Sequence, residues 1–153
     1  MLYNDNMSLV SNKKAYFNYE ITDKIQAGIK LFGYEVKSLR NSQSSLEGSY
    51  VTIRGKEAFI LGMYIKPYQE KNTPKEYDPY RNRKLLLNKK EIEILEKSEK
   101  TKGLTIVPIS VYNIGKFLKL EIAICKGKKK FDKRETLKKR DSERSVRENF
   151  KVR

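Results

Sequence analysis

The 153-residue chain has no histidine and no tryptophan, and its only cysteine is Cys125. Without histidine, Ser-His-Asp and Cys-His catalysis are excluded, and so are most zinc sites. A single cysteine excludes an internal disulfide. The acidic residues form no cluster with the spacing of a metal site. We therefore expect a protein that is not an enzyme and that has neither a metal nor a cofactor. A nuclease that uses carboxylates and a metal ion stays as one alternative.

Long hydrophobic runs are also missing from the chain. No apolar stretch is long enough to cross a bilayer, and we find neither the apolar core of a signal peptide nor a C-terminal prenylation motif. The sequence therefore predicts a cytoplasmic protein that does not bind membranes.

Positive charge, in contrast, is abundant. The chain has 34 lysines and arginines against 19 acidic residues, which gives a net charge of +15. Residues 126–153 hold 13 of the basic and 5 of the acidic residues, so more than half of the excess lies in the last 28 positions. Such a charge is typical of a protein that binds a polyanion, and the lack of a membrane anchor favours nucleic acid.

The spacing of apolar residues predicts many short strands and few helices. Period-two alternation and strand-forming residues predict strands over 16–21, 25–31, 50–53, 57–61, 104–112 and 118–124, with a turn at 22–24. The strands over 50–53 and 57–61 are predicted to form a hairpin across Arg54-Gly55-Lys56. Helices are predicted over 33–41 and after Asn88, which forms a capping box with Glu91, up to a stop at Gly103. Residues 69–83 are predicted to form a long surface loop. Pro108 indicates an edge strand or a bulge.

These elements predict a mainly β fold, an OB-like antiparallel β-barrel with two to three flanking helices and a basic C-terminal tail. We expect residues 1–11 to be a flexible lead-in, residues 12–127 to form the barrel and residues 128–153 to form the tail. The tail is polar nearly all round, so we predict that it is disordered alone and folds on a partner.

Four segments combine lysine or arginine with aromatic or large apolar residues, a composition that suits phosphate contact and base stacking. They are NKKAYFNY at 12–19, GIKLFGYEVKSLR at 28–40, RNRKLLL at 81–87 and KGKKKFDKRE at 126–135. A helix over the second segment would turn Lys37 and Arg40 to the same outward side. A structural interpretation stays open for each segment: a strand with core aromatics, an amphipathic helix, a loop edge and a generic basic tail.

The chain resembles the SsrA-binding protein (small protein B) family through five segments in the family's order: NKKAYFNY, AGIKLFGYEVKSLR, DPYRNRKLLLNKKEI, TIVPISVY and KGKKKFDKRE. The resemblance implies an OB-like barrel that binds the tRNA-like domain of transfer-messenger RNA (tmRNA, or SsrA). It also implies delivery of this RNA to stalled ribosomes for trans-translation. The implied partners are tmRNA and the 70S ribosome, with its small-subunit RNA, and we expect a monomer. A generic ribosomal or single-strand-binding barrel is the other alternative.

The resemblance also implies which residues contact RNA: Asn12, Lys13, Tyr19, Gly28, Glu35, Lys37, Arg40, Lys84 and Leu86. Lys14, Gln26 and Arg83 complete this predicted set. Gln26 stands where the family usually has Glu, and Phe17 and Phe131 stand where it often has His. The tail is implied to become helical in the decoding centre and the empty mRNA channel, through Lys126, Gly127, Lys128, Lys129, Lys130, Phe131, Asp132, Lys133 and Arg134.

Overall fold

The computed structural model describes residues 8–69, 71, 73–127 and 134. In chain order these residues form β1 (Ser8–Ser11), α1 (Lys13–Asn18), β2 (Tyr19–Ile29), α2 (Gly33–Arg40), β3 (Ser44–Ser45), β4 (Tyr50–Arg54), β5 (Glu57–Leu61), β6 (Tyr64–Ile65), β7 (Arg83–Leu86), α3 (Lys89–Lys100), β8 (Leu104–Ile114) and β9 (Phe117–Gly127).

Seven of the strands form one antiparallel sheet in the order β1-β8-β9-β2-β7-β5-β4, and β3 pairs with β6 in a small second sheet. The last strand of the large sheet, β4, also packs against β8 near its other end. The sheet therefore curls around a common core. The predicted mainly β, antiparallel fold with two to three helices is confirmed.

The main core fills the inside of this curled sheet. Its buried side chains include Ile60, Leu85, Leu120 and Ile122 from the strands and Leu39 from α2. Alternate positions of a strand face opposite sides of the sheet, so the sequence pattern placed Leu120 and Ile122 on the core side.

A second, smaller core lies on the other face of β8 and β9. There Ala15 of α1 packs with Val107, Ile109, Ala123 and Cys125, all of them buried. Both faces of this part of the sheet are therefore covered, so β8 and β9 bury residues at neighbouring positions and not only at every second one.

The structure corrects three predictions near the N-terminus. Residues 16–18 belong to α1 and not to a strand, because docking of Ala15 on the second core outweighs the strand preference of the aromatic residues. The predicted turn at 22–24 lies inside β2, where a bulge between Ile21 and Asp23 absorbs it. Residues 8–11 of the predicted flexible lead-in form β1, which pairs with β8.

Other local predictions are confirmed. The Asn88 side chain accepts a hydrogen bond from the Glu91 N–H at 2.8 Å, and the Glu91 carboxylate accepts one from the Asn88 N–H at 3.0 Å. The hairpin of β4 and β5 turns through Gly55 and Lys56, both at positive φ, as a two-residue hairpin turn requires. A bulge follows Pro108, which lies within an inner strand of the sheet.

Candidate functional site

The predicted RNA-binding residues lie in two groups at opposite ends of β2. At its start, Tyr19 pairs with Gly127 of β9, and at its end Gly28 pairs with Leu86 of β7. A strand rises about 3.3 Å per residue, so Tyr19 and Gly28 are separated by at most about 30 Å along β2. We call the first group the tail-side cluster (Asn12, Lys13, Lys14, Tyr19, Lys126 and Gly127) and the second the far-end cluster (Gly28, Lys37, Arg40, Lys84 and Leu86).

Three residues of the tail-side cluster, Asn12, Lys14 and Tyr19, line a cleft of about 520 Å³ between α1 and the start of β4. Lys14 and Tyr19 line one side of the cleft, and Glu47 and Tyr50 line the other. The Lys14 ammonium forms an ion pair with Glu47 across it, and both side chains are exposed. Both polar and aromatic groups therefore face this opening.

Asn12 has a structural role in this cluster. Its backbone N–H donates to the Ile109 carbonyl at 2.7 Å, and its side-chain amide donates to the Pro108 carbonyl at 3.0 Å. The residue is buried, so it anchors the start of α1 on β8 while Lys13 and Lys14 stay exposed. Asn12 therefore holds the basic residues in place; it also lines the cleft, and its contact with RNA stays a prediction.

Lys24 adds positive charge that was not among the predicted RNA-binding residues. Its ammonium lies 5.6 Å from the centroid of the Tyr16 ring and 3.4 Å from a carboxylate oxygen of Glu121. The hydrogen bond to the Tyr16 hydroxyl, followed by the nearby Glu121, raises the pKa of Lys24. Lys24 and Tyr16 are eight positions apart in the sequence, and their side chains meet only because α1 folds back along β2.

The far-end cluster contains a close approach between two strands. A Cβ atom at Gly28 would lie 3.1 Å from the Leu86 Cβ, which is closer than nearly all such contacts in proteins. Gly28 is buried under Leu86, whereas Leu86 exposes 52% of its surface. Gly28 thus gives room to the Leu86 side chain, which faces solvent, and contact of Gly28 with RNA stays a prediction.

Lys84 and Gln26 lie near this position on the neighbouring strands. Lys84 is half-buried, and its ammonium lies 3.3 Å from a Glu57 carboxylate oxygen. Gln26 is exposed on β2, opposite Glu121 of β9. Both can still reach a ligand from the surface.

Helix α2 presents its basic side as the sequence predicted. Lys37 and Arg40 are exposed, whereas Ser38 and Leu39 are buried. The Lys37 ammonium lies 5.8 Å from the centroid of the Tyr68 ring. Arg40 donates to the Lys116 carbonyl at 3.3 Å, which ties the end of α2 to the turn between β8 and β9.

Glu35 and Arg83, which were predicted to contact RNA, are both fully buried, and their contact with RNA stays a prediction. Arg83 Nε donates to Glu35 Oε2 at 2.7 Å, and its other N–H groups donate to the Met63 and Pro79 carbonyls and to the Tyr77 hydroxyl. All of these groups are bonded within the protein. The pair therefore shapes the site and offers no free group to RNA.

The Glu35 carboxylate is held ionised by its surroundings. Burial by itself would raise its pKa, but hydrogen bonds from Arg81 and from the Phe32 N–H, with the charge of Arg83, lower the pKa below its usual value. Tyr77 donates to Glu35 Oε2 at 2.9 Å, and burial and this carboxylate raise the pKa of its hydroxyl. The network thus contains one buried carboxylate, that of Glu35, and two guanidinium groups. The Arg83 guanidinium is buried and the Arg81 guanidinium is partly exposed.

Arg81, Phe32 and Tyr77 were not among the predicted contact residues. The Arg81 guanidinium lies 4.0 Å from the centroid of the Phe32 ring, and Phe32 exposes 47% of its surface. The basic segment at 81–87 pointed to Arg81, but no local pattern links it to Phe32 across almost fifty residues.

The predicted tail residues fall mostly outside the described part of the chain. Lys126 and Gly127 end β9 and are exposed, and Arg134 is helical and exposed. Residues 128–133, with the predicted residues Lys128, Lys129, Lys130, Phe131, Asp132 and Lys133, lie outside the described residues. The predictions of tail disorder and of its role there stay predictions.

No group of three or more His, Cys, Asp or Glu side chains is placed to hold a metal ion within residues 8–69, 71, 73–127 and 134. In the same part of the chain no helix has the length and apolar character needed to cross a membrane.

The curled antiparallel sheet, the strong positive charge of the chain and the exposed lysines and arginines near both ends of β2 define a β-barrel of the nucleic-acid-binding class. Within that class, the chain belongs to the SmpB protein family, whose model matches residues 9–152. The resemblance found in the sequence is confirmed.

Relatives support this assignment over nearly the whole chain. The SsrA-binding protein of Mycoplasma mycoides subsp. mycoides is 51% identical over 143 residues, 94% of this chain and 97% of that protein. The SsrA-binding protein of Elusimicrobium minutum is 46% identical over 153 residues, 99% of this chain and 97% of that protein. A solved structure of tmRNA–SmpB in the bacterial ribosome is 38% identical, with a TM-score of 0.66 over 78% of this chain and 84% of that chain.

Proposed function

We propose that the chain is an RNA-binding adaptor that binds the tRNA-like domain of transfer-messenger RNA and delivers it to stalled ribosomes for trans-translation. Its partners are tmRNA and the 70S ribosome, and it acts in the cytoplasm as a monomer without an enzymatic activity. The observation that carries this proposal is the similarity in sequence and fold to the SmpB chain of a tmRNA–ribosome structure.

The two clusters suggest how one chain serves two RNA partners. The far-end cluster offers Lys37, Arg40, Lys84 and Leu86, with Gln26 nearby, for contact with the tRNA-like domain. The tail-side cluster lies where β9 ends, so Lys13, Lys14 and Tyr19 are adjacent to the point where residues 128–153 begin. We assign residues 8–127 to the body that holds tmRNA and residues 128–153 to a tail that probes the decoding centre and the empty mRNA channel.

A binding experiment tests the adaptor against a generic RNA-binding barrel. Affinity is measured for tmRNA and for an unrelated structured RNA of the same length, at one stated salt concentration, because non-specific binding is mostly electrostatic. We expect a clear preference for tmRNA. Equal affinity for the two RNAs would contradict the adaptor proposal. Cleavage of either RNA in the presence of a divalent metal ion would support the nuclease alternative instead.

The division of labour is tested with a protein that ends at residue 127. Circular dichroism and thermal melting first establish that it keeps the fold. We expect the shortened protein to bind tmRNA as tightly as the full chain but to support no peptide tagging on stalled ribosomes. If a folded, shortened protein instead loses tmRNA binding, the tail belongs to the main binding surface.

A further inference from the structure

An exposed aromatic ring and an arginine stack against each other where α2 begins. We propose that Phe32 and Arg81 form a stacking site for one unpaired nucleotide of the bound RNA, and that buried Glu35 is the positioning residue of this site. This proposal rests on the proposed function, since it assumes that RNA is the partner. The pair belongs to the far-end side of the molecule, because Lys30, two residues before Phe32, donates from its N–H to the Lys84 carbonyl at 2.9 Å.

One carboxylate fixes both members of the stack. Glu35 Oε1 accepts a hydrogen bond from the Phe32 N–H at 2.8 Å and also one from Arg81 Nη2. Glu35 Oε2 accepts from Arg81 Nε at 3.1 Å. Two N–H donors of the single Arg81 guanidinium bond the two carboxylate oxygens, which fixes the plane of the guanidinium as well as its position. The ring and the guanidinium are thereby held against each other at 4.0 Å.

The carboxylate itself is rigid, so the stack is fixed to the core. Arg83 and Tyr77 also donate to Glu35 Oε2, and Arg83 is fully buried. The Phe32 ring is also 5.4 Å from the tilted Tyr34 ring, which in turn meets Tyr77 edge-on at 5.1 Å. A side chain that is ordered before binding loses less entropy when a ligand arrives.

The exposed part of the pair has the chemistry that a nucleobase requires. Phe32 keeps 47% of its surface exposed and the Arg81 side chain keeps 25%. Bases stack on aromatic rings and on arginine planes, and every base has a flat face, so such a site needs no particular sequence. Lys37 and Lys84, on the neighbouring helix and strand, supply positive charge for the phosphates on either side.

Substitutions of Phe32 test the stack. The affinity for the tRNA-like domain of tmRNA is measured by fluorescence anisotropy at several salt concentrations for Phe32→Ala, Phe32→Trp and the control Ile94→Ala. Ile94 on α3 is a suitable control because it exposes the same 47% of its surface. We expect Phe32→Ala to weaken binding about 5- to 150-fold, because it removes the stacking of one base. The salt dependence of binding should not change, because no charge is removed. Phe32→Trp and Ile94→Ala should bind like the unmodified chain.

Two results would overturn the stacking site. One is binding by Phe32→Ala within twofold of Ile94→Ala. The other is an equal loss for Phe32→Ala and Phe32→Trp, since tryptophan keeps a flat aromatic face. Melting temperatures of all variants are measured beside the affinities, and Phe32 is half-exposed, so we expect the fold to survive each substitution.

The positioning role of Glu35 needs a double-mutant cycle. If Glu35 acts through the stack, Glu35→Gln weakens RNA binding in the unmodified chain but adds nothing in the Phe32→Ala chain. Equal losses in both backgrounds would overturn the positioning role. Because Glu35→Gln leaves buried Arg83 without its counterion and can unfold the chain, the same cycle is run with Arg81→Lys, which keeps the charge and loses the planar, two-point bond.

The preference of the unmodified chain separates the two proposals. If it binds tmRNA no better than an unrelated structured RNA, the proposed function fails, whereas the stacking site is still decided by whether Phe32→Ala weakens RNA binding. If the unmodified chain is selective and Phe32→Ala is equally tight, the stacking site alone is overturned.

Discussion

Glu35 and Arg83 form an ion pair that is fully buried, with Arg83 Nη2 2.6 Å from Glu35 Oε2. The pair joins α2 to β7, two elements that lie almost fifty residues apart in the sequence. A buried charge is tolerated only when its partner and its hydrogen bonds are complete. The surface around this pair is the one that we assign to tmRNA, so the stability of the pair and the shape of the RNA-binding surface are linked.

We expect Arg83→Met to destabilise the chain by about 3–5 kcal/mol, because it leaves the Glu35 carboxylate buried with one fewer partner. The double variant Glu35→Leu with Arg83→Met should be less destabilised than this single variant, since it removes both charges. Urea unfolding followed by circular dichroism measures both values. If the free energy of unfolding of Arg83→Met were lower than that of the unmodified chain by less than about 1 kcal/mol, the ion pair would not be important for stability.

Acid should weaken the fold through the same carboxylate. The pKa of Glu35 is lower in the folded chain than its ordinary value of 4.5. A carboxyl with a lowered folded pKa adds stability above the unfolded value, and this stability is lost as the pH falls through the folded value. We therefore expect the melting temperature to decrease when the pH is lowered below about 4.5.

The comparison of the unmodified chain with Glu35→Gln isolates this effect. The difference in melting temperature between the two should be largest near neutral pH and should shrink as the pH drops below 4.5. Glu93→Gln serves as the control because Glu93 is exposed on α3. A difference between Glu35→Gln and the unmodified chain that is constant from pH 7 to about pH 3 would contradict the prediction.

Cys125 should be unreactive in the folded chain. It is buried in the second core, its thiol is 3.5 Å from the Thr105 carbonyl, and burial raises its pKa to about 11. The thiolate is the reactive form, so a disulfide reagent at pH 8 should modify the native chain slowly and the urea-unfolded chain at once. As the chain has no other cysteine, the absorbance change reports this thiol alone. Fast modification of the native chain would show that the second core opens readily.

Local signals in the sequence were reliable where the structure is decided locally. The capping box of Asn88 and Glu91 needs only residues three positions apart, and the outward side of α2 follows from the spacing of Lys37 and Arg40. The β4–β5 hairpin likewise follows from the Arg54-Gly55-Lys56 turn. Each of these features could be predicted because the physical cause lies within one turn of chain.

The misassigned features depend on contacts between distant segments. Residues 13–18 are helical because Ala15 meets Cys125 and its neighbours on β8 and β9, which no local pattern shows. The resemblance to the family drew attention to Glu35, but its burial depends on Tyr77 and on Arg83, 42 and 48 residues away. Sequence reasoning therefore could not separate exposed side chains such as Lys37 from buried ones such as Glu35.

Lys37 and Arg40 provide the test of whether the exposed basic side of α2 binds RNA through charge. Each phosphate contact adds to the salt dependence of binding, so Lys37→Ala and Arg40→Ala should each weaken tmRNA binding and lower the slope of log K against log salt by about one. The melting temperature should stay close to that of the unmodified chain, because both side chains are exposed. Lys97→Ala, an exposed lysine on α3, is the matched control and should leave the slope unchanged. Since Arg40 also donates to the Lys116 carbonyl, a large fall in melting temperature for Arg40→Ala with an unchanged salt slope would assign it to holding the β8–β9 turn, and Lys37 alone would then carry the charge contact.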